Sequence, residues 1–162
     1  QDYSKILDSI LYKNIKIIVD PKGNFKKYKG AYIIKPNKKE LEEYLNYTFT
    51  DTISTLNNLL YQYISYNEKS PFKDLCRYLI VTDGSNGAFT IDFHRETVEH
   101  YPAKNINVVD TIGAGDSFTA GLALGIQKYN NIHKAIDLAM NMANIVVTKQ
   151  GTARVERNEI RI

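Results

Sequence analysis

The sequence predicts an α/β protein built on a mostly parallel sheet with helices on both faces. Three observations carry that expectation. Short β-branched runs at 15–19, 31–34 and 78–82 alternate with longer stretches whose apolar residues recur at helical spacing. The runs are almost continuously apolar, as strands covered on both faces are. Turn signals then follow the runs, at Asp20-Pro21-Lys22-Gly23, Lys35-Pro36-Asn37 and Asp83-Gly84-Ser85-Asn86-Gly87. The carboxyl ends of strands are where open α/β sheets bind ligands.

Taken in order, residues 4–13 carry apolar side chains at 6, 7, 10 and 11, which predicts a helix. The run 15–19 predicts a buried parallel strand, and 31–34 a second. Asn37 is a natural N-cap for a helix over 38–46, with Glu40 at the capping-box position. Residues 50–66 predict a further helix with Ile53, Leu56, Leu60 and Ile64 on one side. A break at Glu68-Lys69-Ser70-Pro71 precedes a short helical segment expected around 72–77. Strands are expected at 78–82, 88–93 and 98–102, the last two as a hairpin around His94-Arg95-Glu96. A short β-rich segment at 107–109 leads into a helix over 116–128. The final helix, 132–147, is expected to bury Ile132, Ala135, Ile136, Ala139, Met140, Ala143 and Val147.

A chain of 162 residues with 43% hydrophobic and 24% charged side chains suits one soluble domain with a real core. The net charge of +3 comes from scattered lysines, without the basic block of a nucleic-acid binder. That balance suits anionic substrates. The single cysteine, Cys76, excludes an internal disulfide, and Leu75 and Leu79 beside it predict a packed thiol. His94, His100 and His133 lack metal-ligand spacing. No apolar run reaches membrane-spanning length and no signal peptide is visible, so a cytoplasmic enzyme is expected. The chain opens on Gln1 rather than Met, as a chain entered partway through would.

The most informative stretch is Asp110-Thr111-Ile112-Gly113-Ala114-Gly115-Asp116 and the helix after it. Gly113, Ala114 and Gly115 leave the backbone bare enough for an anion to reach the first free N–H groups of that helix. Those donors and the helix dipole favour phosphate. Asp116, in the first turn, can take a proton from an acceptor hydroxyl, which together makes phosphoryl transfer to an alcohol the expected chemistry. The plainer alternative is a Gly-rich strand-to-helix turn with Asp116 as an ordinary helix-start residue.

The whole run Asp-Thr-x-Gly-Ala-Gly-Asp-x-x-x-Ala-Gly-Leu-Ala at 110–123 resembles the C-terminal signature of the ribokinase-like (phosphofructokinase-B type) sugar kinases. The resemblance implies a ribokinase-like fold, ATP and Mg²⁺, with Asp116 as base. Thr82-Asp83-Gly84-Ser85-Asn86-Gly87 is similar to the family's T-x-G-x-x-G loop, which implies that Thr82, Gly84 and Gly87 approach the nucleotide. Pro36-Asn37-x-x-Glu40 resembles the family's Asn-x-x-Glu element, implying that Asn37 and Glu40 organise the Mg²⁺–phosphate shell through water. By its residues alone the pair is simply a capping box. Lys22 reads either as a cation reaching a phosphate or as a solvated turn lysine. The stretches 20–23, 28–31, 36–37 and 145–153 are similar to the heptose-7-phosphate kinases, implying D-glycero-D-manno-heptose 7-phosphate as acceptor and lipopolysaccharide-core precursor synthesis as context.

On that resemblance, residues 1–162 are the C-terminal, ATP-binding and catalytic portion of one kinase domain, expected to be inactive alone. The lid and sugar-binding portion would lie before Gln1. The uncovered apolar edge at 17–19 would favour self-association, for instance as a homodimer. Two other readings remain: a ribose-, fructose- or nucleoside-type acceptor on the same fold, or a nucleotide-binding module that no longer catalyses. No P-loop motif is present.

Overall fold

Helical and strand periods alternate in the computed structural model much as they do in the sequence. It describes residues 15–66, 70–72 and 74–160, so the helix expected over 4–13 lies outside the described residues. The chain forms two compact units, one ending at Asp83 and resuming over Ala88–His100, the other made of Gly84–Gly87 and the chain from Tyr101 onward.

The first unit is built on a five-stranded sheet of order β1-β2-β3-β4-β5. Its strands are β1 (Ile18–Val19), β2 (Ala31–Ile34), β3 (Cys76–Thr82), β4 (Ala88–Asp92) and β5 (Thr97–Tyr101). β1, β2 and β3 run parallel, with Ile33 opposite Tyr78, and β4 then pairs antiparallel to β3. The sheet is therefore mixed, because the short connection at 83–87 can return the chain only antiparallel; a second short turn, at 93–96, leads from β4 into β5. Glu96 takes the left-handed position in that turn, at φ 57°. The run at 15–19 pairs over only two residues and is half-buried, with Ile15 50% exposed, since β1 sits at the sheet's margin. Ile33, Ile34, Leu79, Ile80 and Val81 are fully buried, as the near-continuous apolar runs of β2 and β3 require.

Helices α1 (Lys38–Leu45) and α2 (Thr52–Ser65) complete this unit. Of the segment expected to be helical at 72–77, Leu75 donates its N–H to the Phe72 carbonyl and Cys76 already begins β3. On α2 the buried apolar residues are Leu56, Leu59 and Leu60, while Ile64 is 49% exposed. Tyr63 takes the inner place instead, its ring 4.7 Å from Phe93. Phe25, Tyr44, Phe72 and Phe93 join the same aromatic cluster, with Phe25 stacked on Tyr44 at 4.2 Å. Each large side chain buried there is worth about 1.5–3 kcal/mol.

The second unit is organised by α3 (Ala114–Tyr129) and α4 (Ile132–Val147). Gly121 and Gly125 of α3 lie so near α4 that a Cβ on either would stand 2.5 Å from the Cα of Ala139 or Ala135. The signature's Gly121 thus serves helix packing. The buried stripe of α4 ends on Leu138, Met142 and Val146, and the expected Met140, Ala143 and Val147 are only half-buried. It advances in fours, so the stripe drifts around the helix. Residues 107–109 form no strand. Val108 and Val109 are more than half exposed, and the N–H groups of Val109 and Asp110 both donate to the Val147 carbonyl at the end of α4.

Candidate active site

Three parallel strands deliver polar residues to one end of the first unit. β1 runs into Asp20, β2 into Lys35, Pro36 and Asn37, and β3 into Thr82 and Asp83. A bridge between Asn37 and Thr82, with Thr82 N–H on the Pro36 carbonyl at 3.1 Å, carries the β2–β3 pairing just past the strand ends. Lys35 is buried, its side chain 3% exposed, and its Nζ lies 3.1 Å from Asp20 Oδ2. A buried cation is tolerable only with such a partner.

Asn37 and Glu40 form the capping box in full: Asn37 Oδ1 accepts from Glu40 N–H at 2.8 Å, and Glu40 Oε2 accepts from Asn37 N–H at 2.9 Å. The Lys22 side chain is 75% exposed. Its ammonium pairs with Glu40 Oε1 and stands 3.8 Å from Asp20. Burial alone would raise the Glu40 pKa, but the Lys22 hydrogen bond, the Asn37 N–H and the charges of Lys22 and Lys35 outweigh it and lower the pKa below its ordinary 4.5. A carboxylate held below its ordinary pKa stabilises the fold above that value, and the contribution is lost as pH falls through the depressed one. Glu40→Gln is therefore expected to flatten the acid-side decline of melting temperature below pH 4.5. Identical slopes for both proteins in thermal melts from neutral to acid pH would show that the Lys22–Glu40 contact contributes nothing.

No cluster of three or more His, Cys, Asp or Glu among the described residues could cage a metal. Two carboxylates, Asp20 and Glu40, beside two lysines fit Mg²⁺ in another way, as an ion arriving with phosphate and keeping most of its waters.

The loop after β3 uses its glycines differently. Gly84, at φ +51°, has nothing within 4 Å of where a Cβ would stand. Gly87, at φ +90°, would place a Cβ 2.1 Å from the Tyr101 carbonyl oxygen and 2.6 Å from the Ala103 nitrogen. The bareness of Gly87 is used by the backbone at 101–103, and only Gly84 opens onto free space.

In the second unit, α3 begins two residues earlier than the expected 116, and Asp116 occupies its third position. Gly113 is the N-cap at φ 81° and has no side chain to close the first turn. Ala114 N–H bonds the Thr111 carbonyl and Ser117 N–H the Gly113 carbonyl, whereas the N–H groups of Gly115 and Asp116 have no acceptor among the described residues. Both residues are exposed. Asp110 ties the turn in place: Oδ1 accepts from Ile112 N–H at 3.0 Å and Oδ2 from Gly151 N–H at 3.1 Å. An open pair of amides at a helix start, with a carboxylate on the same turn, can hold a phosphoryl group and accept a proton.

The structure thus gathers Lys22, Asn37, Glu40 and Thr82 in the first unit, and Gly113, Ala114, Gly115 and Asp116 in one turn of the second. Gly84 and Gly87 belong to the second unit as well. Sequence reasoning assigned no role to Asp20, Lys35 or Asp110. The available signal was position, each being a charged residue at or just past the end of an apolar run.

Residues 10–158 match the pfkB family of carbohydrate kinases. The chain is 38% identical over 150 residues to the bifunctional protein HldE of Campylobacter jejuni, covering 91% of the chain and 30% of that protein. It is 29% identical over 162 residues to the bifunctional protein HldE of Pseudomonas aeruginosa, covering 99% and 32%. Among solved structures it is similar to phosphofructokinase-2 from Escherichia coli in complex with potassium, with TM-score 0.77 and 19% identity over 96% of the chain and 48% of the kinase. It is also similar to ribokinase from Thermotoga maritima, with TM-score 0.72 and 21% identity over 98% and 52%. The chain therefore spans about a third of the length of the curated relatives it matches and about half of these solved kinases. Its fold is ribokinase-like α/β.

Proposed function

The chain belongs to the pfkB family of carbohydrate kinases, and from that premise we propose that it carries the ATP-binding and catalytic residues of a kinase acting on D-glycero-D-manno-heptose 7-phosphate. The product would be the 1,7-bisphosphate, a precursor for the lipopolysaccharide core, made in the cytoplasm. The observation that carries the reading is the first turn of α3, where the open amides of Gly115 and Asp116 share a turn with the Asp116 carboxylate. In that role the amides hold the γ-phosphoryl group. The anomeric oxygen bonds to phosphorus as the bond to ADP breaks, and Asp116 takes the hydroxyl proton. Mg²⁺, bound through water near Asn37 and Glu40, would offset phosphate charge. The stretches at 20–23, 28–31, 36–37 and 145–153 support the heptose acceptor by their resemblance. Acceptor contacts and the lid are assigned to a portion outside these 162 residues, and pairing of two copies through the marginal strand β1 belongs to the same proposal.

The test is ADP release by the full-length protein with Mg²⁺, ATP and each of heptose 7-phosphate, ribose and fructose 6-phosphate. A clear preference for the heptose phosphate is expected. Preference for either of the others would overturn the acceptor and leave the kinase reading standing.

A further inference from the structure

The start of α2 holds three polar side chains that serve the helix and one that does not. Asp51 caps it, accepting from Ile53 N–H at 3.2 Å and from the Ser54 hydroxyl at 2.6 Å. The Thr55 hydroxyl donates back to the Asp51 carbonyl at 2.8 Å. Thr52, between them, is 4% exposed and turns its hydroxyl away from the helix, onto Asp83 Oδ2 at 2.8 Å. The helix is fully capped without that hydroxyl, and a buried valine would fill the same space. What the threonine adds is a hydrogen bond to a charged acceptor 31 residues away in the chain. Asp83 stands between Thr82 and Gly84, in the loop assigned above to the nucleotide.

We propose that Thr52 is a positioning residue for nucleotide binding: its hydroxyl holds the Asp83 carboxylate against α2 and so fixes the loop 82–87 in its binding shape. The proposal rests on the nucleotide reading of that loop. An anchored loop has lost its conformational freedom before the ligand arrives, whereas a loosened one must lose it on binding.

The test uses the full-length protein with Thr52→Val, Thr52→Ser, Asp83→Ala and the Thr52→Val/Asp83→Ala pair. Calorimetric ATP titration is read alongside hydrogen exchange of the amides at 83–87 without nucleotide. Thr52→Val is expected to weaken ATP binding about tenfold, the scale of a hydrogen bond to a charged group, and to speed exchange in the loop. Thr52→Ser should restore both, and the double variant should be no weaker than Thr52→Val alone. Unchanged exchange in Thr52→Val would show that the contact anchors nothing. Faster exchange with unchanged ATP affinity, or a loss that serine does not restore, would equally overturn the proposal. If the parent protein itself bound no ATP while exchange still rose in Thr52→Val, the anchor would stand and the nucleotide reading would be what failed, taking the functional half of the proposal with it.

Discussion

Turnover of the full-length protein is expected to fall roughly 10²-fold or more in Asp116→Asn, the usual scale for loss of a general base. The substitution keeps the shape of the side chain and removes only its capacity to take a proton. Asp116 is exposed at the third position of α3, so no packing is lost. The amides of Gly115 and residue 116 stay where they are, because Asp110 and the Gly113 cap set the turn. Loss of one negative charge near a helix start costs stability by about 0.3–1 kcal/mol at most. ATP affinity should therefore remain within a few-fold of the parent while turnover drops. Steady-state ADP release and ATP titration on the same preparation separate the two effects. Near-parental turnover would return Asp116 to being an ordinary first-turn residue.

The two glycines of the loop after β3 should respond in opposite ways to the same change. In Gly87→Ala the new methyl would have to occupy space 2.1 Å from the Tyr101 carbonyl oxygen, on a backbone at φ +90°. Backbone atoms cannot swing aside as a side chain can. Left-handed strain of roughly 1–2 kcal/mol adds to an overpacking cost of about 1–3 kcal/mol, for a total loss of about 2–5 kcal/mol. At about 2–4 °C per kcal/mol for a chain of this size, the melting temperature should fall by about 4–20 °C. Gly84→Ala meets only the strain, since nothing lies within 4 Å. Its methyl enters the open space where the nucleotide is assigned, so the fold should hold while ATP affinity falls. Melting curves and ATP titration of both variants decide the matter. A stable Gly87→Ala protein would mean that the backbone at 101–103 gives way. Unchanged ATP affinity in Gly84→Ala would make that loop an ordinary turn.

The sequence by itself determined the α/β alternation, the capping box at Asn37 and Glu40, the turn around 93–96 and the Gly-rich turn before α3. Each is local: a period, a cap or a run of small residues is written within about ten positions of chain. The same locality made the signature at 110–123 legible as a family trait. Only the tertiary structure decided which side chains meet. Lys22 and Glu40 are 18 residues apart, Thr52 and Asp83 31, and Asp110 and Gly151 41. Nothing in local pattern couples such positions, because their meeting depends on how parallel strands and helices are stacked. Burial behaved likewise. Ile64 and Met140 fit the expected stripes, yet Tyr63 and Met142 fill the space, since a helix face becomes buried only where a neighbour covers it. Gly87 shows the division within one residue. Its presence in a turn was readable, but the backbone at 101–103 that forbids any side chain there came into view only in three dimensions.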